Sequence, residues 1–223
     1  RRSLYYLRYR NFYCSGGANH RSLERSCRQW VLGMTFHNYI IHGAGGIGCV
    51  IAARLASAGK RVQLVARGAH LQALQRQGLT LIQNTVGTWD LPAEETADRL
   101  EVDQNTVVLL AMKTDDTFEA VNQHSSLYSD LPVVCCQNGV TNEEWLSTQG
   151  YNTYGCTVMV GAGIVEPGTV RHSGGTLLEI GCWPQGSDAV CEILVSDLVE
   201  GGMNASIDEQ VVDGKWGKLV RNL

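Results

Sequence analysis

The most constraining stretch of this chain is a glycine cluster set between a short apolar strand and a helix. Ile40-Ile41 is the strand. Gly43-Ala44-Gly45-Gly46-Ile47-Gly48 follows and fits the pattern G-x-G-x-x-G. Ile47, Val50, Ile51, Leu55 and Ala58 then recur at helical spacing until Gly59, and Val62-Gln63-Leu64-Val65 reads as a second strand. A strand, glycine turn, helix and strand within about 30 residues form a parallel β-α-β unit. In such a unit the first glycine permits the tight turn, the second lets backbone approach a pyrophosphate, and the third lets helix and sheet pack closely. The helix N-terminus adds free N–H groups and partial positive charge. Gly43, Ala44, Gly45, Gly46, Ile47 and Gly48 are therefore the expected phosphate loop of a dinucleotide site.

The end of the second strand bears on which dinucleotide. NAD sites place an acid about 20 residues past the glycines to hold the ribose 2′-hydroxyl. This sequence has Ala66-Arg67-Gly68 there, with no acid nearby in the chain. A guanidinium can grip a 2′-phosphate with two hydrogen bonds, whereas a carboxylate repels it. Arg67 thus points to NADP(H), the alternative being an ordinary solvated charge.

Farther along, strands keep alternating with helices. Ala69–Gln77 reads as a helix, Leu79–Gln83 as a strand, and Val107–Leu110 as a uniformly apolar strand. Asp115–Tyr128 reads as a helix and Val133–Cys136 as another buried strand. This order predicts an α/β fold with a Rossmann-type parallel sheet. From Thr157 to Ile180 the texture changes to Gly, Val and Thr, with Glu166-Pro167-Gly168-Thr169 as a type II turn, which predicts added antiparallel hairpins. Asp188–Val199 reads as a helix, and Trp216–Leu223 as the start of another.

Composition narrows the function classes. A net charge of −4 advertises neither nucleic acid nor an anionic membrane, and no apolar run is long enough to span a bilayer. The eight cysteines contain no C-x-x-C, so zinc and dithiol-redox patterns fail and buried thiols are expected, with no metal. Residues 1–36 hold seven of the chain's 18 Lys+Arg but one of its 22 Asp+Glu. That basic leader fits either an organellar transit peptide or read-through upstream of Met34, and is set apart from the fold. The expected location is cytoplasmic, or the mitochondrial matrix if the leader is a transit peptide.

Five motifs in order carry a family resemblance: Gly43–Gly48, Val65-Ala66-Arg67, Ala111-Met112-Lys113-Thr114, Gln137-Asn138-Gly139-Val140, and Trp216-Gly217-Lys218-Leu219 with Asn222. Together they make the chain from Tyr39 to Leu223 resemble the ketopantoate reductases (2-dehydropantoate 2-reductases). The resemblance implies an N-terminal Rossmann domain, a C-terminal all-helical domain and an active site between them. It implies NADPH-dependent reduction of ketopantoate to pantoate, a step toward pantothenate and coenzyme A. It also implies that Lys113 and Asn138 lie beside the nicotinamide ribose, that Ala162 contacts cofactor, and that Lys218 is the catalytic lysine. Asn222 and Asn138 would bind substrate. Residues 37–210 would then be the NADP-binding domain and residues 211–223 the start of a truncated helical domain. On that division the 223-residue chain is expected to be a nearly inactive fragment.

The residues support part of this independently. Trp216, Leu219, Val220 and Leu223 form one apolar stripe, expected to face the core, and Lys218 and Asn222 share another face at i and i+4. From spacing alone that pair also fits a solvated helix face. Hydride addition to a carbonyl builds charge on oxygen, which the Lys218 ammonium can neutralise as general acid. His172, in a hairpin strand, reads as structural. A small 2-keto acid is the expected partner, and a homodimer is compatible with the family. The competing readings are a reductase of another 2-keto acid and a nonenzymatic NADP(H)-binding protein.

Overall fold

The structure is a computed structural model and describes residues 38–221. The leader, Asn222 and Leu223 lie outside the described residues. The chain opens with β1 (Asn38–His42), α1 (Gly46–Ser57), β2 (Arg61–Val65) and α2 (Gly68–Gln77). A hairpin β3 (Leu79–Ile82) and β4 (Val86–Trp89) follows, then the two-residue β5 (Ala93–Glu94) and a 3₁₀ turn, Ala97–Arg99. Next come β6 (Thr106–Leu110), α3 (Thr114–Gln123), α4 (Ser125–Tyr128), β7 (Pro132–Cys135) and α5 (Thr141–Thr148). Two long strands, β8 (Asn152–Glu166) and β9 (Thr169–Cys182), lead to α6 (Ala189–Glu200), β10 (Asn204–Ile207) and α7 (Val211–Arg221).

All ten strands form one sheet in the order β4-β3-β9-β8-β7-β6-β1-β2-β5, with β10 on β9. Only β3–β4 and β8–β9 pair antiparallel. Strands β1, β6 and β7 are buried along their whole length, which explains why they are continuously apolar rather than alternating. Strand β1 lies between β2 and β6, so the chain runs outward from β1 in both directions. That reversal opens a crevice at the carboxyl ends of β1 and β6, where open α/β sheets bind ligands.

Several elements differ from the sequence reading. The predicted helix over Asp115–Tyr128 is two helices, broken at His124, whose backbone leaves helical geometry at φ −120° and ψ 26°. The Thr157–Ile180 region is one long hairpin rather than several, starting at Asn152; its turn does place Gly168 at φ +81°, as a type II turn requires. Strands β4, β5 and β10 and helix α5 were not predicted. Helix α7 begins at Val211, five residues before the predicted start at Trp216.

Helix α7 also packs by an unexpected face. The apolar stripe does not face inward: Trp216 is 50% exposed and Val220 65% exposed. The inward residues are Val211 and Lys215. The polar side wins because every proton of a buried ammonium there finds an acceptor (below). The six cysteines among the described residues carry no disulfide, and five of them are buried. Among the described residues, no helix is long and apolar enough to cross a membrane.

Candidate active site

The glycine loop leaves β1 at Gly43, which sits at φ +106°, a conformation that favours glycine. Its N–H and that of Ala44 both donate to Val65 O, at 3.2 and 3.0 Å, which ties the loop to the end of β2. A Cβ on Gly43 would meet Met112 N at 2.3 Å, one on Gly48 would meet Gly43 O at 2.3 Å, and one on Gly46 would meet Ala162 O at 2.6 Å. Three chain crossings thus close tightly around the turn. At Gly45, by contrast, a Cβ would meet nothing within 4 Å. The second glycine therefore faces open space, which suits a loop whose backbone lies against a bound phosphate. The N–H groups of Gly46, Ile47 and Gly48, in the first turn of α1, have no intrahelical acceptor and no acidic side chain in that turn competes for them.

Beside this loop lies a cleft of about 320 Å³, formed by the segments that follow β1, β6 and β7 and by β8 and α7. Ile47, Lys113, Asn138 and Lys218 line it together, with Met112 and Gln137 on its floor. Residues separated by up to 171 positions in sequence are thus brought to one place by the sheet's carboxyl edge. Ala162 does not line the cleft; it stands against Gly46 on the outer side of the loop. Arg67 does not line it either. It is the N-cap residue of α2 at the tip of β2, its side chain 66% exposed, where the far end of an extended dinucleotide would reach. Its guanidinium lies 3.9 Å from Asp116. No acid is near Arg67 in the chain, but the fold brings one there in space: this carboxylate comes from α3, 49 residues away.

Lys218 is half-buried at the side of this cleft. Its ammonium donates to Asn138 Oδ1 at 2.6 Å and to Val158 O on β8. Burial, and next to it the positive charge of Lys215, hold its amine below the ordinary lysine range. Among the described residues it has no carboxylate partner that would restore the loss. Asn222, predicted to join it, lies outside the described residues.

Sequence reasoning missed the group beneath it. Lys215 is 4% exposed and forms an ion pair with Glu143, which is 1% exposed. The same ammonium donates to Gln137 O at 3.0 Å and to Cys135 O and Cys156 O at 3.4 Å. Burial pushes the Glu143 carboxyl up against the pull of Lys215. The available signal was the i, i+3 spacing of Lys215 and Lys218, visible only if the helix is begun at Val211. Below the glycine loop, His42 Nδ1 is hydrogen-bonded to the buried Tyr128 hydroxyl, and burial pushes its imidazole down to about 3, so it stays neutral. His172 bonds Gly175 O on its own strand and Gln83 Oε1 in the turn between β3 and β4.

The match to known proteins follows this geometry. The family model for ketopantoate reductase PanE/ApbA matches residues 39–185, the whole span from β1 through the long hairpin. The chain belongs to the ketopantoate reductase family. A 2-dehydropantoate 2-reductase of Pyrococcus horikoshii is 30% identical over 190 residues, which cover 82% of this chain and 60% of that protein. One of Mesorhizobium japonicum is 31% identical over 209 residues, covering 82% and 63%. Among solved structures, a PanE/ApbA family ketopantoate reductase of Ralstonia eutropha superposes with a TM-score of 0.74 at 29% identity, covering 83% of this chain and 61% of that one. A ternary structure of D-mandelate dehydrogenase with NADH and anilino(oxo)acetate superposes with a TM-score of 0.73 at 25% identity, covering 83% and 61%. The chain thus spans about three-fifths of the length of these ketopantoate reductase relatives.

Proposed function

We propose that this chain carries the cofactor-binding half and the proton donor of an NADPH-dependent reductase that converts ketopantoate to pantoate. The observation that carries the reading is the cleft that Lys218, held by Asn138 Oδ1 and Val158 O, lines together with Ile47 of the glycine loop, Lys113 and Asn138. Residues Gly43–Gly48 would hold the pyrophosphate, Lys113 and Asn138 the nicotinamide ribose, and Ala162 would back the loop. When bound, the reduced nicotinamide supplies a hydride to the substrate's carbonyl carbon. Lys218 gives a proton from Nζ to the carbonyl oxygen, so the C=O becomes a hydroxyl-bearing carbon and Lys218 is left as the neutral amine. Asn138 orients the substrate without adding charge, as Asn222 would. Helix α7 opens a second, helical domain that supplies the rest of the substrate contacts.

The pH profile follows from the proton's direction. Lys218 acts only while protonated, and its amine is held below the ordinary lysine range. Turnover is therefore expected to fall on the alkaline side through a pKa lower than that of a free lysine, and to be flat where Lys218 is fully protonated. A profile of kcat against pH checks this; a rate that rises with pH through that limb would make Lys218 a base instead.

Cofactor preference rests on Arg67. Arg67→Ala is expected to weaken NADPH binding by roughly 1.5–3 kcal/mol, about tenfold to a hundredfold, the worth of a charge-assisted hydrogen bond. NADH should be little affected. Isothermal titration with both cofactors decides it, and equal losses would remove the 2′-phosphate assignment. Asp116 should oppose that phosphate at close range, so Asp116→Asn should tighten NADPH and leave NADH unchanged.

A second reading has its own support. The fold-alike D-mandelate dehydrogenase was solved with NADH and anilino(oxo)acetate. Another 2-keto acid, reduced by the same Lys218 chemistry, is thus the alternative substrate. Comparing kcat/KM for ketopantoate with that for an aryl 2-keto acid in the complete protein separates them.

A further inference from the structure

The ion pair beneath the site has no part in the reaction as described, yet both of its partners are withdrawn almost wholly from water. Two charges removed from water are stabilising only when geometry and extra hydrogen bonds are good, and an apolar pair of equal volume often serves stability as well or better. Lys215 meets the geometric condition: its ammonium lies among Glu143 of α5, Gln137 O and Cys135 O after and on β7, and Cys156 O on β8. One helical turn later Lys218 takes the next positions along the same two segments, Asn138 Oδ1 and Val158 O. Two lysines of α7 therefore hold the segment that follows β7 and the body of β8, Lys215 at Gln137 and Cys156 and Lys218 at Asn138 and Val158. Apart from Val211, which packs against Gly155 and Gly181, the helix buries no apolar residue.

We propose that the Lys215–Glu143 pair is a positioning device that fixes the rotation and depth of α7 and so aims Lys218 into the cleft. The pair also keeps a like charge next to Lys218, whose facing groups are Lys215 on its own helix, Cys156 on β8 and, behind Lys215, Glu143 on α5. The lowered titration of Lys218 agrees with that placement. The catalytic meaning of the inference rests on the reading of Lys218 as proton donor; the placement itself does not.

The test replaces the pair with neutral residues and reads Lys218 directly. Competitive acetylation of lysines by acetic anhydride across pH, followed by peptide mass spectrometry, gives the titration of Lys218 without requiring turnover. It is run on this chain, on Lys215→Met/Glu143→Leu, and on the polar version Lys215→Gln/Glu143→Gln in case the apolar pair disturbs folding. In whichever double variant keeps the circular dichroism spectrum and NADPH affinity, Lys218 is expected to titrate higher, because the like charge removed stands next to it and the opposite charge removed with it stands behind. In the complete protein the same variant should lose kcat about tenfold with KM for NADPH unchanged, the pattern of a misaimed group rather than a lost binding site. An unshifted Lys218 in a folded double variant, or failure of both double variants to fold, overturns the inference. Lys218→Ala in the same assay keeps the two ideas apart. If it loses turnover while the folded double variant does not, only the positioning role fails. If Lys218→Ala keeps turnover, the proton-donor reading fails and the acetylation result alone decides the placement.

Discussion

Replacing Lys218 with alanine is expected to lower kcat for 2-keto acid reduction by about 10²–10⁴-fold, the usual worth of a positioned proton donor. NADPH affinity should stay within about twofold, since the loop that holds the phosphates lies on β1 and α1 and takes nothing from α7. The argument is geometric. Only two side chains in the cleft carry positive charge, Lys113 and Lys218. Lys113 is exposed at the N-terminus of α3, whereas Lys218 is half-buried and held at two points. A group held in place acts without first losing its freedom of orientation. Steady-state kinetics and an NADPH titration on the same protein check the split. Loss of cofactor affinity in step with kcat would show that Lys218 binds rather than reacts.

The second large effect is on stability. Lys215→Met is expected to cost about 3–5 kcal/mol near neutral pH, because it strands the Glu143 carboxylate in the interior with no counterion. The cost should depend on pH in a defined direction. Burial already pushes the Glu143 carboxyl up, and removing Lys215 takes away the main group that holds it down, leaving only a backbone N–H. In the variant, folding therefore favours the protonated acid, so the gap to the parent narrows as pH falls and the acid takes up its proton. Denaturant unfolding at neutral and mildly acidic pH measures the gap. A constant difference would mean that the loss comes from packing rather than from the stranded charge.

How much of this could be read in the sequence depended on where the controlling contacts lie. The β1–α1–β2 unit was legible because its periodicity and its glycines are local. Val107–Leu110 and Val133–Cys136 were legible because strands buried on both faces are continuously apolar. Strands β4, β5 and β10 were not: Ala93–Glu94 has two residues, and its strand character comes from its pairing with β2. Helix α5 follows the Asn138-Gly139 turn directly, which reads as loop. The stripe on α7 was read correctly as a stripe and wrongly as the inward face, because hydrophobic patterning has no entry for a lysine with four buried partners.

The candidate site divided in the same way. Ile47 of the glycine loop, Lys113 and Asn138 meet at one edge of the sheet, as a parallel β-α-β order requires of residues that follow its strands, and α7 brings Lys218 to them. Arg67 sits apart from them at the tip of β2. Asp116 beside it, and Lys215 with Glu143 beneath Lys218, join elements far apart in the chain. No local spacing encodes them.

In the proposed reaction a hydride reaches a 2-keto acid in this cleft while Lys218 protonates the oxygen. It is tested by supplying the complete protein with ketopantoate and NADPH deuterated at the transferable position, then locating the label by NMR. One pantoate is expected per NADPH consumed, with deuterium on the former carbonyl carbon and the yield nearly abolished in Lys218→Ala. NADPH that binds tightly but passes no deuterium to ketopantoate or to any other 2-keto acid would contradict it, and would mark the chain as part of a cofactor-binding protein that is not a reductase.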